Sequence, residues 1–196
     1  MAAALAATVD AVVFVAATPS VEPNPGCEGN DRLTLALPPW QDEVIAAVAA
    51  ANARVVVVTR TGGAALMPWL GAVPAVLHQG LAGQEAGSAL ADVLLGRENP
   101  GGKLTVTFPA ADDATWLTTT AQYPGVYNAS STFWETNYSE GLLVGYRFYD
   151  ATPAATPPLF AFGHGCVRRT RRKRARVQIS PRDCARPRLF ARWHWH

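Results

Sequence analysis

Val55-Val56-Val57-Val58-Thr59 is an unbroken run of β-branched residues, followed at once by Arg60-Thr61-Gly62-Gly63. A strand with water on one face alternates apolar and polar side chains, whereas a run apolar at every position marks a strand covered on both faces, as in a parallel sheet between helices. Upstream, Ala11 to Ala17 is a second apolar run, ended by Thr18-Pro19, and reads as a buried strand. Between the two, Pro38-Pro39 opens a helix in which Val44, Ile45, Val48, Ala49 and Ala51 fall at helical spacing, and Asn52 closes it.

Downstream, Ala64 to Leu70 reads as a short helix interrupted by Pro68, and Ala72 to His78 as the next strand. Gln84 to Leu95 reads as a helix with Ala86, Leu90, Val93 and Leu94 inward and Gly96 as its cap. Lys103 to Phe108 alternates as a strand, Val144 to Asp150 is taken as another, and alanine-rich Ala2 to Thr8 reads as helical. Alternating strands and helices with right-handed crossovers predict a three-layer α/β/α sandwich around a mostly parallel, doubly wound, flavodoxin-like sheet.

The length of 196 residues, about half of them apolar, suits one such domain. The net charge of +2 conceals two kinds of chain: residues 1–164 hold six Lys/Arg against fourteen Asp/Glu, and residues 165–196 hold eleven against one. The domain is therefore assigned to residues 1–165 and a disordered basic C-terminal tail to 166–196. Cys27, Cys166 and Cys184 are too few and too scattered for a disulfide framework or for paired metal-ligand spacing, so no metal and no cofactor are expected. No apolar run approaches the roughly 18 residues of a membrane helix, and no membrane partner is expected. Met1 to Ala17 lacks a basic leader and carries Asp10 in its middle, which favours a fold strand over a signal peptide.

The carboxyl end of the first strand opens into Pro25-Gly26-Cys27-Glu28-Gly29-Asn30-Asp31-Arg32, on the sheet edge where open α/β folds bind ligands. Gly26 and Gly29 flank Glu28 and leave its carboxyl reachable. Taken alone, this is an acidic surface loop. Glu28-Gly29-Asn30-Asp31-Arg32 followed by Leu35-Ala36-Leu37-Pro38-Pro39-Trp40-Gln41-Asp42, however, resembles the segment opening the second domain of glycoside hydrolase family 3. Further matches follow in order: Thr61-Gly62-Gly63, Gly83-Gln84-Glu85, Asn99-Pro100-Gly101-Gly102-Lys103-Leu104, Tyr138-Ser139-Glu140-Gly141, Val144-Gly145-Tyr146-Arg147 and Phe162-Gly163-His164-Gly165. The resemblance spans about residues 10 to 165.

It implies a retaining β-glycosidase, β-glucosidase-like or β-xylosidase-like. Retaining glycosidases need one carboxyl group to protonate the leaving oxygen and a second to attack the anomeric carbon. The resemblance makes Glu28 the acid/base and puts the nucleophile, an aspartate, in a preceding (β/α)8 barrel that this chain lacks. The carbohydrate substrate, a β-glucoside or β-xyloside, would be shared with that barrel, and the chain alone would be inactive. Met1 then enters mid-protein, with the domain truncated at its N-terminus; the full-length enzyme would be extracellular or secretory, while the chain itself leaves its compartment unknown. Asp31 and Arg32 are expected to pair and hold the loop.

After Gly165 the family pattern stops, and Cys166-Val167-Arg168-Arg169 begins a stretch rich in Arg, Pro, Trp and His. A shifted reading frame or a misjudged exon is the leading expectation for 166–196; a disordered basic tail contacting nucleic acid or acidic membranes through its charge is the second, and a folded element the third. The rival functional class is a non-catalytic α/β module interacting with carbohydrate or nucleic acid. A nucleotide-binding role is disfavoured, because Gly80 to Gly83 carries no phosphate-cradling motif and Glu85 would repel an anion. His78, His164 and Glu140 are read as structural. Pro109 to Phe133 is a long surface loop whose aromatics pin it in place or stack on sugars, the first reading being preferred. Asn128-Ala129-Ser130 and Asn137-Tyr138-Ser139 are glycosylation sequons.

Overall fold

The computed structural model describes residues 1–18 and 32–165. Helix α1 (Ala2–Ala6) leads to strand β1 (Val12–Ala17), helix α2 (Pro39–Ala51), strand β2 (Val55–Arg60), a 3₁₀ turn at Leu70–Ala72, strand β3 (Ala75–His78) and helix α3 (Ala86–Leu94). Beyond these come a hairpin of β4 (Val126–Asn128) and β5 (Phe133–Glu135), and helix α4 (Tyr146–Ala151). The main sheet runs β1-β2-β3, all parallel, with Val12 opposite Val55 and Val57 opposite Val76.

The β-branched run decides the layers. Val55 and Val57 face a core with Ile45 and Val48 of α2, Trp69, Leu70 and Phe108, while Val56 and Val58 face a smaller cluster with Ala75, packed by Leu90 and Leu94 of α3. Val55 to Thr59 is buried throughout, as a strand between two helical layers requires. Helix α2 begins with Pro39 at its first position and stops at Asn52, which turns extended and donates its side-chain amide to the carbonyls of Ala6 and Val9.

Several expectations change. β1 is only half covered: Val13 and Val15 remain nearly half exposed, because α3 lies over β2 and β3 and none of the described residues covers that face of β1. β3 is short, since Leu70–Ala72 forms the 3₁₀ turn and Pro74, just before the strand, has no N–H for a ladder. The expected helix at Ala64 to Leu70 is absent, Gln84 to Leu95 shortens to α3, and Ala2 to Thr8 to α1.

Lys103 to Phe108 is not a ladder strand. It is held at two points by the chain around residues 160–164: Phe108 and Phe160 exchange backbone hydrogen bonds at 2.8 and 3.2 Å, and Leu104 N–H donates to the His164 carbonyl. Val144 to Asp150 is no strand either, since Gly145, at φ 58°, turns the chain into α4. The Pro109–Phe133 loop contains β4, whose hairpin depends on Gly125: at φ 103°, a Cβ there would lie 2.7 Å from the Glu135 carbonyl oxygen. The expected disordered tail at 166–196 lies outside the described residues, as do Glu28 and Asp31.

Candidate active-site edge

The carboxyl ends of β1, β2 and β3 meet along one edge, and the segment bearing Glu28 leaves from β1 and returns at Arg32. Both of its ends are tied down. At the start, Thr18 N–H donates to the Arg60 carbonyl at 3.4 Å. One residue earlier, the backbone groups of Ala17 face the open edge of β1, where a buried Gln41 takes both: Ala17 N–H donates to Gln41 Oε1 at 2.9 Å, and Gln41 Nε2 donates to the Ala17 carbonyl at 2.7 Å. A side-chain amide thus replaces the missing neighbour strand where the loop begins.

At the return, Arg32 Nη2 donates to the Ala64 carbonyl at 3.0 Å, and the Tyr123 hydroxyl donates to the Arg32 carbonyl at 2.6 Å. Arg32 Nη1 is buried with no partner among the described residues. Asp112 then fixes the next turn, accepting the Leu35 N–H at 2.7 Å and the Thr34 hydroxyl. The expected pairing of Asp31 with Arg32 to hold the loop falls outside the described residues, as does the acid/base position of Glu28.

The other acids and bases of this region have structural partners. His78 Nδ1 lies 3.1 Å from Thr59 Oγ1 with its ring edge-on to Phe108, and burial pushes its pKa down, favouring neutral imidazole. Burial pushes the Asp42 carboxyl up, opposed by the Trp69 indole N–H that it accepts at 2.7 Å. Glu140 accepts a bond from Gln122 Nε2 at 2.9 Å, and His164 stacks on Phe160 at 4.9 Å. Beside the edge, a cavity of about 270 Å³ is lined by Leu77, His78, Leu90, Val93, Lys103 and His164 among others, with no carboxylate in its wall. It offers no acid for glycoside chemistry. Among the described residues no three His, Cys, Asp or Glu side chains gather as a metal site, and no helix is long and apolar enough to cross a membrane.

Gln41 and Asp112 were not singled out from the sequence; Tyr123 was one of the loop aromatics read as pinning the loop in place, without Arg32 as its partner. Gln41 was detectable in principle, for it stands four and seven residues before Ile45 and Val48, on the buried stripe of α2. Asp112 and Tyr123 carry no such signal, their partners lying 77 and 91 residues away.

An α/β domain with a tethered loop at the carboxyl edge of its sheet is the class these features define. Residues 1–146 match the family model described as glycosyl hydrolase family 3 C-terminal domain. Among curated relatives, β-glucosidase B of Emericella nidulans is 44% identical over 162 residues, covering 79% of this chain and 18% of that protein. A β-glucosidase of Rhizobium radiobacter is 46% identical over 140 residues, covering 70% and 16%. Among solved structures, DesR, a β-glucosidase from Streptomyces venezuelae in complex with D-glucose, superposes with a TM-score of 0.73 at 41% identity, covering 84% of this chain and 19% of that one. The chain belongs to glycosyl hydrolase family 3, as its C-terminal domain, and spans less than a fifth of the length of these relatives.

Proposed function

We propose that this chain is the acid/base-bearing part of a retaining β-glycosidase of the β-glucosidase type, with Glu28 protonating the glycosidic oxygen and then activating water. The nucleophile is an aspartate of a (β/α)8 barrel that these 196 residues do not include. The substrate is a β-glucoside or β-xyloside held between the two domains. The observation that carries this reading is the tethering of both ends of the segment bearing Glu28 at the carboxyl edge of the sheet, by Gln41 on Ala17 and by Ala64 and Tyr123 on Arg32. A general acid must be held within hydrogen-bond reach of the leaving oxygen, and a loop fixed at both ends reduces the freedom it would otherwise lose on binding. The similarity to β-glucosidases at 41–46% identity supports the reaction class.

The test places residues 1–165 in the corresponding position of the Rhizobium radiobacter β-glucosidase and compares the chimera with its Glu28→Ala variant. On a β-glucoside with a poor leaving group, kcat/KM is expected to fall by about 10² to 10⁴, the usual contribution of general acid catalysis. On an activated β-glucoside, whose leaving group departs without a proton, added azide, which needs no general base, is expected to restore turnover by attacking the glycosyl-enzyme and to yield a glycosyl azide of retained configuration. An active chimera whose activity is unchanged by Glu28→Ala would remove Glu28 from the chemistry.

A further inference from the structure

The two sequons stand in different environments. Asn128 closes β4 inside the hairpin: its Nδ2 donates to Glu135 Oε1 at 2.6 Å, its Oδ1 accepts the Ser130 N–H at 2.9 Å, and it is half-buried. The nitrogen that would carry a sugar is already committed to a carboxylate. Asn137 lies just beyond the hairpin, where its backbone N–H donates to the Ala121 carbonyl at 2.7 Å and fixes the chain, while its side chain is exposed and makes no hydrogen bond among the described residues. Ser139, whose hydroxyl completes the sequon, is exposed as well, and Tyr138 between them is 76% exposed. A tight turn follows, closed by Gly141 N–H on the Tyr138 carbonyl at 3.0 Å, so the triplet stands out from the surface.

We propose that Asn137 is an acceptor site for an N-linked oligosaccharide and that Asn128 in the folded chain is not. The donor class is a lipid-linked oligosaccharide pyrophosphate, and the catalyst an oligosaccharyltransferase. The bond formed joins Asn137 Nδ2 to the C1 of the reducing-end sugar. The bond broken is that between C1 and the pyrophosphate oxygen, which departs with the electron pair as lipid pyrophosphate, and one amide proton passes to a base of the transferase. This site is independent of the proposed glycosidase reading. It gives the chain a chemical mark of passage through a compartment holding that transferase.

The test incubates the folded 196-residue chain, and the same chain denatured, with a single-subunit oligosaccharyltransferase and a lipid-linked oligosaccharide. Occupancy is read by mass spectrometry after enzymatic deglycosylation in heavy-oxygen water. The folded chain is expected to gain one glycan, carried on Asn137, lost in Asn137→Gln and in Ser139→Ala and kept in Asn128→Gln; the denatured chain is expected to accept at both asparagines. No transfer to Asn137 in the folded chain overturns the proposal. So does a glycan on Asn128 at equal or higher occupancy. Because Asn137 and Ser139 make no side-chain hydrogen bonds among the described residues, their variants are expected to unfold at the wild-type temperature, which separates loss of acceptor from loss of fold.

Discussion

At the scale of single residues, Gln41 holds two backbone groups with one side chain. Replacing it by leucine leaves the Ala17 N–H and carbonyl without partners at a partly buried strand edge, and an unmade hydrogen bond of that kind costs on the order of 1–3 kcal/mol. Gln41→Leu is expected to lower stability by about 2 kcal/mol in urea denaturation. His78 acts through pH. Burial lowers its folded pKa below the ordinary 6.5, so the unfolded chain binds the proton more readily. The contribution to stability is fully present above pH 6.5 and is lost as pH falls below that value toward the folded pKa. The drop in urea midpoint between pH 7.5 and pH 5.5 is therefore expected to shrink in His78→Gln. Asp112 is exposed, and Asp112→Ala is expected to change global stability by less than about 1 kcal/mol while speeding hydrogen exchange at the Leu35 amide, which its carboxylate covers.

At the scale of elements, β1 and β2 read almost alike as apolar runs, yet they stand in different surroundings. Val57 is fully buried among α2 and β3 neighbours, whereas Val13 is 48% exposed. Deleting two methyl groups from a close-packed core costs the transfer free energy plus a cavity, about 2 kcal/mol for Val57→Ala. Val13→Ala is expected to cost less than half of that, and thermal unfolding of the two variants measures the difference. The hairpin gives a second contrast. Gly125→Ala sets a Cβ against the Glu135 carbonyl at 2.7 Å in a backbone region alanine avoids, and is expected to destabilise by about 2 kcal/mol. Gly63→Ala, where a Cβ would meet nothing within 4 Å, is expected to be near neutral in the same thermal scan.

At the scale of the whole molecule, sequence and structure contributed different things. Helix α2 and strand β2 were legible because their signals are local: proline at the helix start, apolar spacing of three and four residues, and an unbroken β-branched run. So was the parallel three-layer arrangement, which follows from a strand that must be covered on both faces. The family was legible from motifs in one order, and residues 1–146 carry it. What the sequence could not specify depends on partners distant in the chain. Whether Lys103 to Phe108 joins the sheet or bridges to Phe160 depends on which backbone lies beside it, and the alternating pattern suits both. Whether Val144 to Asp150 is strand or helix was decided by Gly145 at positive φ and by its surroundings, against the strand preference of its Val, Tyr and Phe residues. The half-open face of β1, the two hydrogen bonds between Gln41 and Ala17 and the 77-residue reach of Asp112 to Leu35 exist only once the chain is folded, because hydrogen bonds and burial answer to spatial neighbours, whereas the residue pattern records only the local preference of each segment.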